Sequence, residues 1–170
     1  MLKRKRTHYC GELRMKDVGS EVVLMGWVQR RRDHGGLIFI DLRDRTGLIQ
    51  LVFSQDIDPD AHQLAHRLRN EYVICVTGKL RRRPEDTINP NLPTGEVEVA
   101  GYELQILNTS ETPPFMIEDN LNVAEEIKLK YRYLDLRRPK MFRNLFIRHK
   151  AALSVRKYMD EQGFLEVETP

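Results

Sequence analysis

The chain is 170 residues long, room for one domain or for one small domain and part of another. Hydrophobic residues at 41% and charged residues at 31% mark a soluble globular balance, and a formal net charge of +3 is too small to identify a nucleic-acid partner by itself. No apolar run reaches the ~20 residues of a membrane-spanning helix, and the basic N-terminus runs straight into His8-Tyr9-Cys10-Gly11-Glu12, without the apolar stretch of a secretory signal.

The distribution of charge says more than its sum. Basic residues cluster at Lys3-Arg4-Lys5-Arg6, Arg30-Arg31-Arg32, Arg81-Arg82-Arg83 and Arg137-Arg138. Any one cluster fits a solvated face as well as an anion site. Cys10 and Cys75 have no C-x-x-C partner and no histidine at metal spacing, which predicts ordinary reduced thiols in a cytoplasmic protein.

In chain order, Val22, Leu24, Gly26 and Val28 alternate with Val23, Met25, Trp27 and Gln29, a first strand that runs into the arginine triplet. Asp33-His34-Gly35-Gly36 is a tight connection, because glycine tolerates positive φ. Leu37 to Asp44 is a second strand, and Thr46-Gly47 turns into a third, Leu48 to Phe53. Asp58-Pro59-Asp60 starts a helix, with Ala61, Leu64, Ala65 and Leu68 at helical spacing as far as Asn70. Tyr72 to Arg82 is a fourth strand. The proline-rich stretch from Pro84 to Gly95 is a long loop, and Glu96 to Leu107 is a fifth strand. Five short strands with a helix between the third and fourth predict a five-stranded OB-fold barrel over residues 1–107, whose closure removes exposed edges.

After Asn108 the texture changes. Residues 108–122, with Thr109-Ser110-Glu111-Thr112-Pro113-Pro114, read as a linker. Asn122 caps a predicted helix from Val123 to Leu136, with Glu125 and Glu126 in its first turn. Arg138-Pro139 interrupts it, and a second helix runs from about Lys140 to Gln162. On that helix Met141, Phe142, Leu145, Phe146, Ala152, Leu153, Val155 and Met159 cover about half the circumference. Gly163 stops it, and Phe164 to Pro170 begins a new extended segment. A wide apolar face and an opening strand predict that residues 123–170 begin a larger, truncated domain.

Strand parity sorts side chains into faces. Ile38, Ile40 and Leu42 face the core, so Phe39 lies outside with Asp41 and Arg43. An outward ring suits base stacking, and it suits packing beneath a loop equally well. Val97 and Val99 face inward, which leaves Glu96 and Glu98 outside to accept from base amines. Gln50 alternates with Ile49 and Leu51, and its amide both donates and accepts. Arg30 and Arg32 follow Val28 on one face of the first strand, within reach of phosphates or base acceptors. Each alone is an ordinary surface residue; together they favour single-stranded nucleic acid on the second- and third-strand face. No catalytic set appears. His62 and His66 stand four apart on a helix without a third ligand, so no metal site is predicted.

Several strings settle the choice: Tyr9-Cys10-Gly11-Glu12-Leu13-Arg14, Gly26-Trp27-Val28, Gln29 to Gly36, Leu37 to Asp44, Thr94 to Val99, and Lys130 to Pro139. They closely resemble the start of bacterial aspartyl-tRNA synthetase, a class II enzyme, from about Thr7 to Pro170. The lysyl and asparaginyl enzymes share the barrel, while the Arg-Arg-Pro ending and Gln29 to Gly36 point to the aspartyl member.

The resemblance implies that the barrel grips the anticodon loop of aspartate tRNA. It implies Phe39 as the ring stacked on the middle base, Gln50 and Arg32 as its hydrogen-bonding partners, and Glu98 as the carboxylate reading the first base. Asn89 falls near the third base, although Thr87 stands where some members carry another asparagine. Gly163 to Pro170 resembles the first class II motif, which forms the homodimer interface. ATP and Mg2+ are implied for the parent enzyme, held by motifs beyond this chain, and the fragment itself is expected to be non-catalytic. Whether asparagine tRNA is a second substrate stays open. A standalone single-strand binder and a protein-interaction barrel are the alternatives, and neither needs an unfinished second domain.

Overall fold

The structure, a computed structural model, describes residues 4–169; Lys3 of the first basic cluster and Pro170 of the last segment lie outside the described residues. The chain divides into two compact units, residues 1–113 and 114–170.

The first unit contains β1 (Glu21–His34), β2 (Leu37–Arg43), β3 (Leu48–Phe53), α1 (Pro59–His66), β4 (Val73–Arg82) and β5 (Val97–Asn108). They close into a barrel in the order β1-β2-β3-β5-β4. The β3–β5 pair is parallel and the others are antiparallel. This is the OB-fold arrangement that the strand order predicts. Alternation drives it: Val22, Leu24, Val28, Ile38, Ile40, Leu42, Ile49, Leu51, Phe53, Val97 and Val99 are fully buried in one core. Gly101 is needed where β5 crosses that core, because a Cβ there would stand 2.5 Å from the Phe53 ring. Asp44 accepts from Cys10 N at 2.7 Å and from Thr46 N at 2.8 Å, tying the N-terminal segment to the end of β2. Burial would raise the Asp44 carboxyl, but these donors outweigh it and hold its pKa below the ordinary value. Both cysteines are buried free thiols.

Asp58 caps α1 by accepting from Ala61 N at 2.7 Å, with Pro59 in the first turn. The helix ends at His66 rather than continuing to Asn70. The chain leaves it early because Glu71, at φ +64°, donates its N–H to Val28 O at 2.7 Å, while Val28 N donates to Tyr72 O at 2.9 Å. That anchorage also changes β1. Pairing with β2 shifts between Val28 and Arg30, leaving Gln29 as the extra residue of a bulge. Parity therefore reverses: Val28 points into the core, and Arg30 and Arg32 point out instead of sharing its face. Arg31 takes the opposite side.

The second unit contains α2 (Glu125–Lys130), α3 (Arg132–Asp135) and α4 (Pro139–Glu161). The single helix expected over 123–136 is broken at Tyr131, whose φ of −106° and ψ of 44° leave the helical region, and Ala124 rather than Asn122 stands at the N-cap with no side-chain bond. A small cluster of Phe115, Ile117 and Leu134 with Leu121, Val123 and Tyr131 takes these residues instead, so packing overrides the local cap signal. Arg138 Nη2 lies 2.7 Å from Asp135, and Asp119 accepts from Lys140 N at 3.0 Å, which holds the start of α4. At its end Gly163 has φ +83°; its N–H donates to Asp160 O and that of Phe164 to Met159 O, the two hydrogen bonds of a Schellman cap. No residue of α4 is buried, so its apolar face stands uncovered. Residues 164–169 form no strand, since a ladder needs a neighbour to pair with.

Candidate nucleic-acid interface

Barrel register lines up one row of outward residues across all five strands. Arg30 of β1 is opposite Asp41 of β2, which is opposite Gln50 of β3, then Glu98 of β5, then Arg81 of β4. The adjacent row places Arg32 opposite Phe39. Side chains join these positions into one chain of bonds. Arg32 Nη2 donates to Asp41 Oδ1 at 2.7 Å and to Gln50 Oε1 at 3.2 Å. Gln50 Nε2 donates to Glu98 Oε2 at 2.9 Å, and Arg81 Nε donates to Glu98 Oε1 at 2.9 Å. Phe39 is half-buried beside this chain, and Arg30 and Arg32 are exposed.

Two predicted positions differ from their expected exposure. Glu98 and Gln50 lie on the outer side of their strands, yet only 3% and 6% of their surfaces are accessible. Their lateral neighbours cover them: Gln50 and Arg81 flank Glu98 in register, and alternation predicts the side of a strand but not crowding along it. A carboxylate has about four acceptor sites, so Glu98 keeps capacity beyond these partners, and the Arg81 side chain that covers it is itself half exposed. Glu96 is exposed as expected.

Asn89 belongs to the β4–β5 loop, where its N–H donates to Gly95 O at 3.1 Å and its Oδ1 accepts from Asn91 N at 3.0 Å. Among the described residues, no bond ties it to the Arg32–Gln50–Glu98 chain. Gly95 is required there, because a Cβ would fall 1.8 Å from Asn89 O.

Arg83 is a residue the sequence does not single out within its basic cluster. It is buried at 4% exposure, with Nε donating to Val97 O at 3.0 Å and Nη1 to Thr87 O at 3.5 Å. Its Nη2 has no partner. Burial lowers its pKa against the opposing pull of the Glu98 and Asp41 carboxylates, so its cation lies close to the row. A buried donor without an acceptor is a polar group left to be satisfied.

His62 and His66 meet as edge-on rings with centroids 4.7 Å apart, and His62 Nε2 lies 2.9 Å from Gly36 O. Among the described residues, no group of three or more His, Cys, Asp or Glu side chains is placed for a metal.

An outer barrel face presenting ring, amide, carboxylate and guanidinium in register is equipped to stack and hydrogen-bond unpaired bases. Residues 22–112 match the OB-fold nucleic acid binding domain family of tRNA anticodon-binding type. The chain belongs to that family. Beyond this OB-fold domain, residues 124–170 match the class II tRNA synthetases of the D, K and N group. The aspartate–tRNA(Asp/Asn) ligase of Desulfosudis oleivorans is 59% identical over 98% of this chain, and that of Syntrophotalea carbinolica is 62% identical over the same share. The chain spans about 28% of the length of these relatives. Asparaginyl-tRNA synthetase from Pyrococcus horikoshii, solved with asparaginyl-adenylate, superposes with a TM-score of 0.79 at 26% identity, covering 98% of this chain and 36% of that one. Aspartyl-tRNA synthetase from Entamoeba histolytica gives a TM-score of 0.86 at 20% identity over 98% of this chain and 39% of that one, which shows the same fold. No described helix is long and apolar enough to cross a membrane.

Proposed function

We propose that the OB-fold domain reads the anticodon of aspartate tRNA within an aspartate–tRNA ligase. The observation that carries this reading is the bonded row Arg32–Gln50–Glu98–Arg81 with the half-exposed Phe39 ring beside it. Phe39 stacks on the middle base, Gln50 and Arg32 meet its edge, and Glu98 accepts from the first base. Arg30 meets the backbone, Arg83 Nη2 supplies a further donor, and Asn89 offers its amide to the third base.

The parent enzyme activates aspartate with Mg2+ and ATP, works in the cytoplasm as a homodimer, and transfers the amino acid to the 3′ end of tRNA. We assign activation to the rest of the enzyme, since this chain spans about 28% of the length of its relatives. Anticodon contacts help to place the distant acceptor end, and their loss lowers aminoacylation without touching adenylate formation.

Relatives named for both aspartate and asparagine tRNA support a dual substrate. Codons for the two amino acids differ in their first base, hence in the third anticodon base. Phe39, Gln50 and Glu98 therefore read what the two tRNAs share. Discrimination rests on the Asn89 loop, where Thr87 stands in place of another amide.

The test is binding of the full chain to aspartate, asparagine and unrelated anticodon stem-loops. Aspartate and asparagine loops should both outcompete the unrelated one, and equal binding of all three would overturn the reading. Glu98→Gln should reduce discrimination at the first anticodon base about tenfold, since one good base-edge contact contributes about 1–3 kcal/mol; unchanged discrimination removes Glu98 from that role.

A further inference from the structure

A second cationic site lies on the other face of the β1–β2 ribbon. β1 pairs with β4 only over Glu21–Trp27, and from Val28 to His34 it pairs with β2 alone, so this stretch is a two-stranded arm with two sides. Arg30, Arg32 and Phe39 occupy one side. After the bulge Arg31 points to the other, where it lines a pocket of about 480 Å³ with His66, Arg67, Arg69, Tyr72 and Thr109.

The charges in this pocket are poorly matched. Arg31 Nη2 donates to Asp33 Oδ2 at 3.0 Å and lies 3.2 Å from His66 Nδ1, while its Nε is buried with no acceptor. Asp33, the carboxylate bonded to Arg31, lies 3.4 Å from His66 Nδ1 as well. The nearby Glu71 carboxylate is taken by Arg43. Among the described residues, the side chains of Arg67 and Arg69 make no hydrogen bond or ion pair. Three guanidiniums therefore line the pocket, of which Arg31 alone is bonded to Asp33, with the hydroxyls of Tyr72 and Thr109 beside them. Guanidinium forks match the oxygens of a phosphate, and a buried N–H without an acceptor gains most from such a ligand.

We propose that this pocket is a phosphate site and that its occupant is a backbone phosphate of the RNA, outside the three bases read by the barrel. The inference builds on the anticodon reading. A strand whose bases lie on Phe39 and Gln50 has to pass the β1–β2 arm, and cations on both sides of that arm let the backbone follow it round. The pocket sets affinity and register without reading sequence.

The test compares full-chain variants on the aspartate anticodon stem-loop at several salt concentrations. Arg67→Glu with Arg69→Glu changes two exposed side chains and should leave the fold intact; Arg67→Gln with Arg69→Gln removes charge without reversing it. Both pairs should weaken binding about tenfold or more, equally for matched and mismatched triplets, and lower the log–log salt slope by about one to two. Phe39→Ala, run alongside, should lower affinity with the slope unchanged. Neutral methylphosphonate linkages walked through the loop should reveal one position that weakens wild-type binding but not that of the glutamate pair. An unchanged affinity and slope in both pairs would overturn the proposal. Inorganic phosphate shifting the Arg31 Nε resonance while the RNA slope stays constant would mean a free-anion site and would likewise overturn the RNA assignment. If the wild type binds every stem-loop alike, the anticodon reading fails, and the slope comparison still decides the pocket.

Discussion

Replacing Arg43 with alanine should lower the unfolding free energy by about 3–5 kcal/mol, the range for removing one partner of a buried ion pair. Arg43 Nη2 reaches both carboxylate oxygens of Glu71, at 2.9 and 2.8 Å, and both side chains are largely buried. Alanine removes a guanidinium that bonds both oxygens of a buried carboxylate, on a residue already held at positive φ, at the point where the 69–72 turn grips Val28. The measurement is the urea midpoint at constant slope, comparing Arg43→Ala with Arg43→Ala/Glu71→Gln. The second change should recover part of the loss, because a neutral amide is easier to bury. A single variant as stable as the wild type would show that the pair contributes nothing net. The effect should also reach the RNA face: the turn fixes the bulge at Gln29, and the bulge aims Arg30 and Arg32 outward.

Phe39→Ala should weaken binding of the aspartate anticodon stem-loop by about 1–3 kcal/mol, the usual contribution of a base stacked on an aromatic ring. Phe39 is half-buried on the outer face of β2, between the fully buried Ile38 and Ile40, so truncation should disturb the core little. Isothermal titration of the RNA and thermal unfolding of the free protein separate the two roles. Lost affinity with nearly constant Tm supports stacking. Constant affinity with a marked fall in Tm would make Phe39 a packing residue and remove the centre of the proposed interface.

Much of the barrel was legible in the residues alone. The Ile38–Ile40–Leu42 alternation assigns β2 its faces, and the turns at Gly35-Gly36 and Gly47 locate the strand ends, because side-chain period and positive-φ tolerance are local properties. Face assignment on β1 failed beyond Val28. Parity counting assumes an unbroken ladder, and the bulge there is set by Glu71 and Tyr72, more than 40 residues further along the chain. Likewise, nothing local distinguishes Arg81, half exposed on Glu98, from Arg83, buried with an unpartnered Nη2, although they stand two apart in one basic run.

The sequence by itself determined the five barrel strands, the start of the helix between the third and fourth, the core face of β2, and which outward side chains suit an unpaired base, since those depend on period, propensity and residue chemistry. Tertiary structure alone decided that Glu98 and Gln50 are sealed laterally, that Arg30 and Arg32 share a side with Phe39, and that Arg31 faces a separate cationic pocket. Burial and register are set by neighbours brought together from distant parts of the chain, and no local pattern encodes which neighbour arrives.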